Sequence, residues 1–171
     1  YKIKKRPKNN PLIVHYLNNQ ILGKDCSFNN DFLKLYKVFC PGPITFILDL
    51  KKNSKISKIA TNKKNTLAVR FPKHPVTRNL LKKLNFPLAM PSANKSSGVS
   101  PVKPQDVIEE FHNKIKVLDG GISKIGIEST VLNLVGSLCI LRPGIITSKK
   151  IEKVLKTKIK ILSKQKIIKS P

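Results

Sequence analysis

The chain has 171 residues, 40% of them hydrophobic, which is enough for one domain of ordinary size with a real core. No apolar run approaches the roughly 20 residues that span a bilayer, no signal-peptide pattern opens the chain, and the odd, widely spaced Cys26, Cys40 and Cys139 support neither a disulfide framework nor a zinc knuckle, so a reducing cytoplasm is the simplest home. Thirty-four Lys and Arg against nine Asp and Glu give a formal charge of +25 that would attract phosphates or RNA, unless it is inherited with a general abundance of Lys, Asn and Ile; the lack of tryptophan and 6% aromatic content argue against an RNA reader built on stacking platforms.

In chain order, Lys4-Lys5-Arg6-Pro7-Lys8-Asn9-Asn10-Pro11 comes first, a run of cations and amides held by two prolines just before a short apolar strand over residues 12–16 that carries His15. Pro7 and Pro11 each fix φ and bias the preceding Arg6 and Asn10 toward extended backbone. The polar groups are thus held at a strand edge, either as an anion-binding loop or as a Lys-rich turn of a basic protein. Phe28, Phe32, Leu35, Tyr36 and Phe39 recur at helical spacing and predict an amphipathic helix ended by Pro41-Gly42-Pro43. Ile44, Phe46 and Leu48 alternate with Thr45, Ile47 and Asp49 as a strand; residues 51–65 form a polar excursion with a short helical piece at 56–59, and residues 66–71 return to strand.

A helix follows over 75–84 with Val76, Leu80, Leu81 and Leu84 on one face, then a strand over 87–90. A loop over 92–101 rich in Ser, Asn and Gly leads to a helix opened by Pro104 and striped by Val107, Ile108, Phe111 and Ile115. Residues 130–135 and 138–141 read as an antiparallel pair around Gly136-Ser137, closed by Arg142-Pro143-Gly144, and Ser148 caps a last helix carrying Ile151, Val154 and Leu155. Strands alternating with helices predict a single α/β domain in two or three layers with a mixed sheet.

The conspicuous polar side chains fall at strand ends and in the loops after them, where α/β domains open a ligand crevice. They are Lys4, Arg6, Asn10 and His15; Thr66 and Arg70 on one strand; Ser92, Asn94 and Ser100 in one loop; Ser129 with Thr130; and Arg142. Rich in cations and hydroxyls and poor in carboxylates, the set suits an anionic substrate and shows neither the paired acids of glycoside chemistry nor an all-protein metal cage. Arg70 ends the apolar run Leu67-Ala68-Val69, where a buried guanidinium needs an anion unless it reaches solvent at the strand end. Ser92 and Ser129 lie in no G-x-S-x-G elbow and read as hydrogen-bonding groups, while His15, His74 and His112 lack metal-ligand spacing.

Six motifs in order, Lys4-Lys5-Arg6-Pro7 with Asn10-Pro11-Leu12, Cys40-Pro41-Gly42-Pro43-Ile44-Thr45, Thr66-Leu67-Ala68-Val69-Arg70, Pro91-Ser92-Ala93-Asn94, Gly126-Ile127-Glu128-Ser129-Thr130-Val131 and Leu141-Arg142-Pro143-Gly144, resemble the YrdC-type threonylcarbamoyl-AMP synthases. The resemblance runs over about residues 2–156. It implies a YrdC-like twisted mixed sheet flanked by helices, a domain over 1–156, and 157–171 as a basic tail or the start of an interdomain linker. It further implies synthesis of threonylcarbamoyl-AMP and pyrophosphate from L-threonine, bicarbonate and ATP, with Mg2+ arriving on the nucleotide. The group is then destined for the adenosine beside the anticodon of tRNA, met directly or through a downstream transfer complex. By this resemblance Lys4, Arg6, Asn10, Thr66, Ser92, Ser100 and Arg142 line the ATP site, His15, Arg70 and Ser129 hold threonine, Asn94 shapes its loop, and no residue is assigned as acid or base. The family's Thr-x-Thr-x-Tyr-Gly-type motif is missing, so the chain reads as N-terminally incomplete, and Ile168-Lys169-Ser170-Pro171 resembles the start of the linker in long-form members. Two alternatives are a non-catalytic RNA-binding domain of the same fold, motivated by the charge, and a carbamoyl-adenylate module of a hydrogenase-maturation protein.

Overall fold

Each strand that the alternation predicts is present, and three further short elements join them, in the computed structural model of the chain, which describes residues 1–96, 98–123 and 126–162. The order is β1 (Ile13–His15), α1 (Asn19–Leu22), β2 (Cys26–Ser27), α2 (Asn30–Phe39), β3 (Ile44–Leu50), α3 (Lys58–Thr61), β4 (Thr66–Arg70), α4 (Pro75–Lys83), β5 (Leu88–Ala89), α5 (Pro104–Phe111), β6 (Thr130–Asn133), β7 (Cys139–Arg142), α6 (Ser148–Leu155) and β8 (Lys160–Ile161). The strands form one mixed sheet in the order β5-β1-β4-β3-β6-β7-β8. The β1/β4, β3/β6 and β7/β8 pairs are parallel and the others antiparallel. Asp49 pairs with Thr66 of β4 and with Ser27 of β2, so β2 extends the β3 edge beyond the residues that β6 occupies.

The period-2 alternation of strands decides the two faces. Val14, Ile44, Phe46, Leu48, Leu67, Val69, Leu132 and Ile140 point into the main core with Phe32 and Leu35 of α2 and Ile151 and Leu155 of α6. Phe32 anchors it: its ring lies 4.7 Å from Phe28 and 5.2 Å, edge-on, from Phe46, and burying such a ring stabilises by about 1.5–3 kcal/mol. Asn29 starts α2 by accepting the Phe32 N–H on Oδ1 at 3.0 Å. On the opposite face only a small apolar group, Ile13, Ile47, Ala68, Val131 and Leu141, interrupts polar side chains.

Four local expectations shift. Ile115 does not extend α5, because His112 and Asn113 both turn left-handed (φ 50 and 58) and their N–H groups donate back to Glu109 and Ile108 carbonyls. Thr147, not Ser148, caps α6, its hydroxyl accepting the Lys150 N–H. Within the α4 stripe Leu81 alone is fully buried; Val76, Leu80 and Leu84 are half-buried. Residues 157–162 do not behave as a tail, since Ile159 enters the main core and β8 adds to the sheet beside β7. The segment 168–171, read as a linker start, lies outside the described residues. No described helix is long and apolar enough to cross a membrane.

Candidate functional site

Register alone assembles a polar row across the less covered face. His15 is opposite Arg70, Arg70 opposite Thr45, Thr45 opposite Val131, and Val131 opposite Arg142. Directly opposed residues share a face, and five strands at about 4.8 Å spacing place the row within about 19 Å. Arg142 joins it through a bulge: the β6/β7 register slips between Val131 and Leu132, leaving Leu141 as an extra residue of β7.

Ser129, just before β6, is the knot at one end. Its Oγ lies 2.8 Å from Thr45 Oγ1. Arg142 donates to it from Nη2 at 3.1 Å, and to the Ser129 carbonyl from Nε at 3.1 Å and Nη2 at 3.0 Å, while Nη1 meets Glu128 Oε2 at 2.7 Å. The loop after β7 lies directly against this backbone: a Cβ at Gly144 would stand 2.6 Å from both the Glu128 carbonyl oxygen and the Thr130 nitrogen, so no other residue fits without displacing main chain. Thr130 fastens the same loop, donating its hydroxyl to the Ile146 carbonyl at 2.8 Å and accepting the Ile146 N–H at 3.1 Å.

At the other end the row is open. Arg70 Nε and His15 Nδ1 are buried without a hydrogen-bond partner, and so are Asn10 Oδ1, Asn94 Oδ1 and Ser96 Oγ in the loops nearby. Burial holds the Arg70 guanidinium below its usual pKa, with Arg142 adding repulsion. Burial, and then Arg70, pulls His15 down to about 4, so its imidazole is neutral at pH 7. An anion entering here would satisfy the orphaned Arg70 Nε–H and relieve the crowding of cations.

The N-terminal loop supplies the remaining cations. Lys4 Nζ donates to the carbonyls of Ser92 and Asn94, and the Lys4 carbonyl accepts the Ser96 N–H at 2.8 Å. Asn94 Nδ2 holds its own loop by donating to the Lys95 and Gly98 carbonyls at 2.9 and 2.7 Å. Arg6 donates to the Asn10 and Pro11 carbonyls at 3.4 and 2.8 Å, and the Tyr1 hydroxyl donates to the Asn10 and Ile59 carbonyls at 3.3 and 3.2 Å. Burial lowers the pKa of both cations; Arg6 lowers Lys4 further, and Tyr1 and Glu128 partly offset the effect on Arg6, which places Arg6 in the field of Glu128.

The predicted residues therefore fall into two tied groups and two outliers. Lys4, Ser92 and Asn94 form one group; Arg6, Arg142, Ser129, Arg70 and His15 form the other, with Asn10 beside Arg6. Thr66 shares the Arg70 face at the far end of β4, about 13 Å away along the strand, where it lines a recess of about 50 Å³ with Pro11, Thr61 and Ala68. Ser100 is half-buried before α5 and is tied to neither group among the described residues. The sequence reasoning missed Thr45 and Glu128 as site residues; Thr45, a hydroxyl in an apolar strand, carried the readable signal. No trio of His, Cys, Asp or Glu gathers to hold a metal among the described residues, and the nearest carboxylate, Glu128, is paired with Arg142.

Three comparisons bear on this site. The Sua5/YciO/YrdC family model, described as telomere recombination, matches residues 1–144. The threonylcarbamoyl-AMP synthase of Pyrococcus abyssi is 37% identical over 160 residues, covering 91% of this chain and 46% of that protein, and that of Bacillus subtilis is 38% identical over 158 residues, covering 91% and 45%. The crystal structure of P. abyssi Sua5 complexed with L-threonine superposes with a TM-score of 0.88 at 36% identity, over 94% of this chain and 47% of that one. The chain spans about half the length of these relatives. With a matching family model over most of its length and a shared sheet architecture, the chain belongs to the Sua5/YciO/YrdC family.

Proposed function

We propose that the protein is a threonylcarbamoyl-AMP synthase and that the row from His15 to Arg142 is its reaction floor. The observation that carries this reading is the orphaned, buried Nε of Arg70 beside the Thr45–Ser129–Arg142 knot. A guanidinium left without an anion inside a protein is a costly arrangement unless a ligand completes it. Threonine carboxylate on Arg70 does so with charge-assisted bonds. Neutral His15 and the Ser129 hydroxyl then flank the amino acid without adding charge.

The chemistry needs few acids. The threonine amine and bicarbonate condense to a carbamate with loss of water, and a carbamate oxygen then attacks the α-phosphorus of ATP, expelling pyrophosphate. Lys4, Arg6 and Arg142 meet the phosphate chain, and Asn10, Thr66, Ser92 and Ser100 line the nucleotide. Magnesium enters as part of the nucleotide substrate, on the phosphates. The protein's contribution is juxtaposition, which supplies up to about 7–11 kcal/mol in favourable cases, together with fixed cations where charge develops. The mixed anhydride is an activated acyl donor, which we assign to threonylcarbamoylation of tRNA beside the anticodon. Free, unpaired cysteines support a reducing cytoplasmic setting.

The test is pyrophosphate release by the full-length protein. Release that requires threonine and bicarbonate together supports the reading. Release indifferent to threonine, or none at all alongside tight RNA binding, rejects it in favour of an RNA-binding role for the +25 charge.

A further inference from the structure

Glu128 is the carboxylate at the Arg142 end of the row, and its placement is asymmetric. Its Oε2 lies 2.7 Å from Arg142 Nη1, with side-chain exposure of 53% for the glutamate and 23% for the arginine. Arg142 is fixed from behind by Nε and Nη2 bonds to Ser129, and Arg6 feels the same carboxylate. The guanidinium is thus anchored to the sheet, whereas the carboxylate stands at the mouth, half in water and able to leave.

We propose that Glu128 is a displaceable stand-in anion: its carboxylate occupies the Arg142 seat until the phosphate chain of a nucleotide or pyrophosphate takes it. The proposal rests on the nucleotide reading above and deepens it. A half-exposed ion pair is weak, so a multiply charged phosphate chain outcompetes it, while a singly charged solute such as chloride does not. Glu128 therefore filters the seat by ligand charge, while Ser129 holds Arg142 in place. It acts through Arg142 and is a positioning residue. A second consequence concerns product: a carboxylate that returns to Arg142 competes with departing pyrophosphate and speeds its release.

Isothermal titration of the full-length protein with inorganic pyrophosphate in metal-free buffer separates the outcomes. The E128Q variant is expected to bind pyrophosphate about two- to fivefold tighter than wild type, and E128A, a second variant, should shift in the same direction. Lost structure would weaken binding, so a gain cannot come from damage, and thermal melts of both variants verify folding. Equal or weaker binding by a folded variant, with wild type still binding, overturns the proposal and leaves the proposed function standing. Absence of both pyrophosphate and ATP binding in wild type and variants removes both.

Discussion

In the helix-covered core a buried polar cluster is closed: Tyr16 donates its hydroxyl to Asp25 Oδ2 at 2.9 Å, Ser54 donates to Oδ1 at 2.7 Å, and the Asp25 carbonyl accepts the Lys51 N–H at 2.8 Å. Across the sheet, buried His15 and half-buried Arg70 keep unpartnered buried nitrogens, and the other three orphaned atoms among the described residues, on Asn10, Asn94 and Ser96, belong to loops nearby. One sequence has therefore satisfied its polar groups where only folding is at stake and left them wanting where a ligand is expected. Stability and function are drawn from opposite faces of the same strands.

The largest expected effect tests the closed face. Phe32→Ala removes the ring at the centre of the aromatic cluster and should cost about 3–5 kcal/mol of unfolding free energy, measured by urea titration. A loss under about 1 kcal/mol would show that the core does not depend on α2. Arg70→Met tests the open face in the reverse sense. Removing a half-buried charge with no anion beside it should leave the melting temperature unchanged or raised, while the proposed threonine binding weakens by about 2–5 kcal/mol; calorimetry of both quantities on one sample decides. A variant that loses stability but keeps threonine would merge the two faces into one role.

The pH dependence sharpens the contrast. His15 titrates near 4 in the fold against 6.5 for an unburied histidine, so between these values the unfolded chain holds the extra proton. Its contribution is fully present above pH 6.5 and is lost as pH falls toward 4, by up to roughly 3 kcal/mol. Stability curves of wild type and His15→Asn should converge across that window; parallel curves would mean that the imidazole is not held neutral by burial. The smallest effect lies at the α6 cap, where Thr147→Ala should cost about 1 kcal/mol without altering threonine binding.

The backbone of this arrangement is legible in the sequence because strands and proline-punctuated helices leave strong local signals: β3 shows in the alternation of Ile44, Phe46 and Leu48 with Thr45, Ile47 and Asp49, and β4 in the apolar run Leu67-Ala68-Val69. What the sequence could not show was register. Nothing local says that His15, Arg70, Thr45 and Arg142 stand side by side, since that follows from two parallel pairings, two antiparallel ones and a bulge at Leu141. The short α1, β2 and β8 escaped for a related reason, being too brief for any periodicity and held by tertiary pairing. The Lys- and Ile-rich stretch around Lys160–Ile161 has no alternation to read until β7 offers it an edge.

The hydroxyl of Thr130 ties β6 to the loop before α6. By giving a proton to the Ile146 carbonyl and receiving one from the Ile146 nitrogen, it does the work of a peptide group at a point where the ladder has run out. Valine has the same shape and could keep the volume of the sheet while stripping both of those bonds. A chain with valine at this position would keep the architecture yet lose both ties of the strand-to-helix connection behind Arg142.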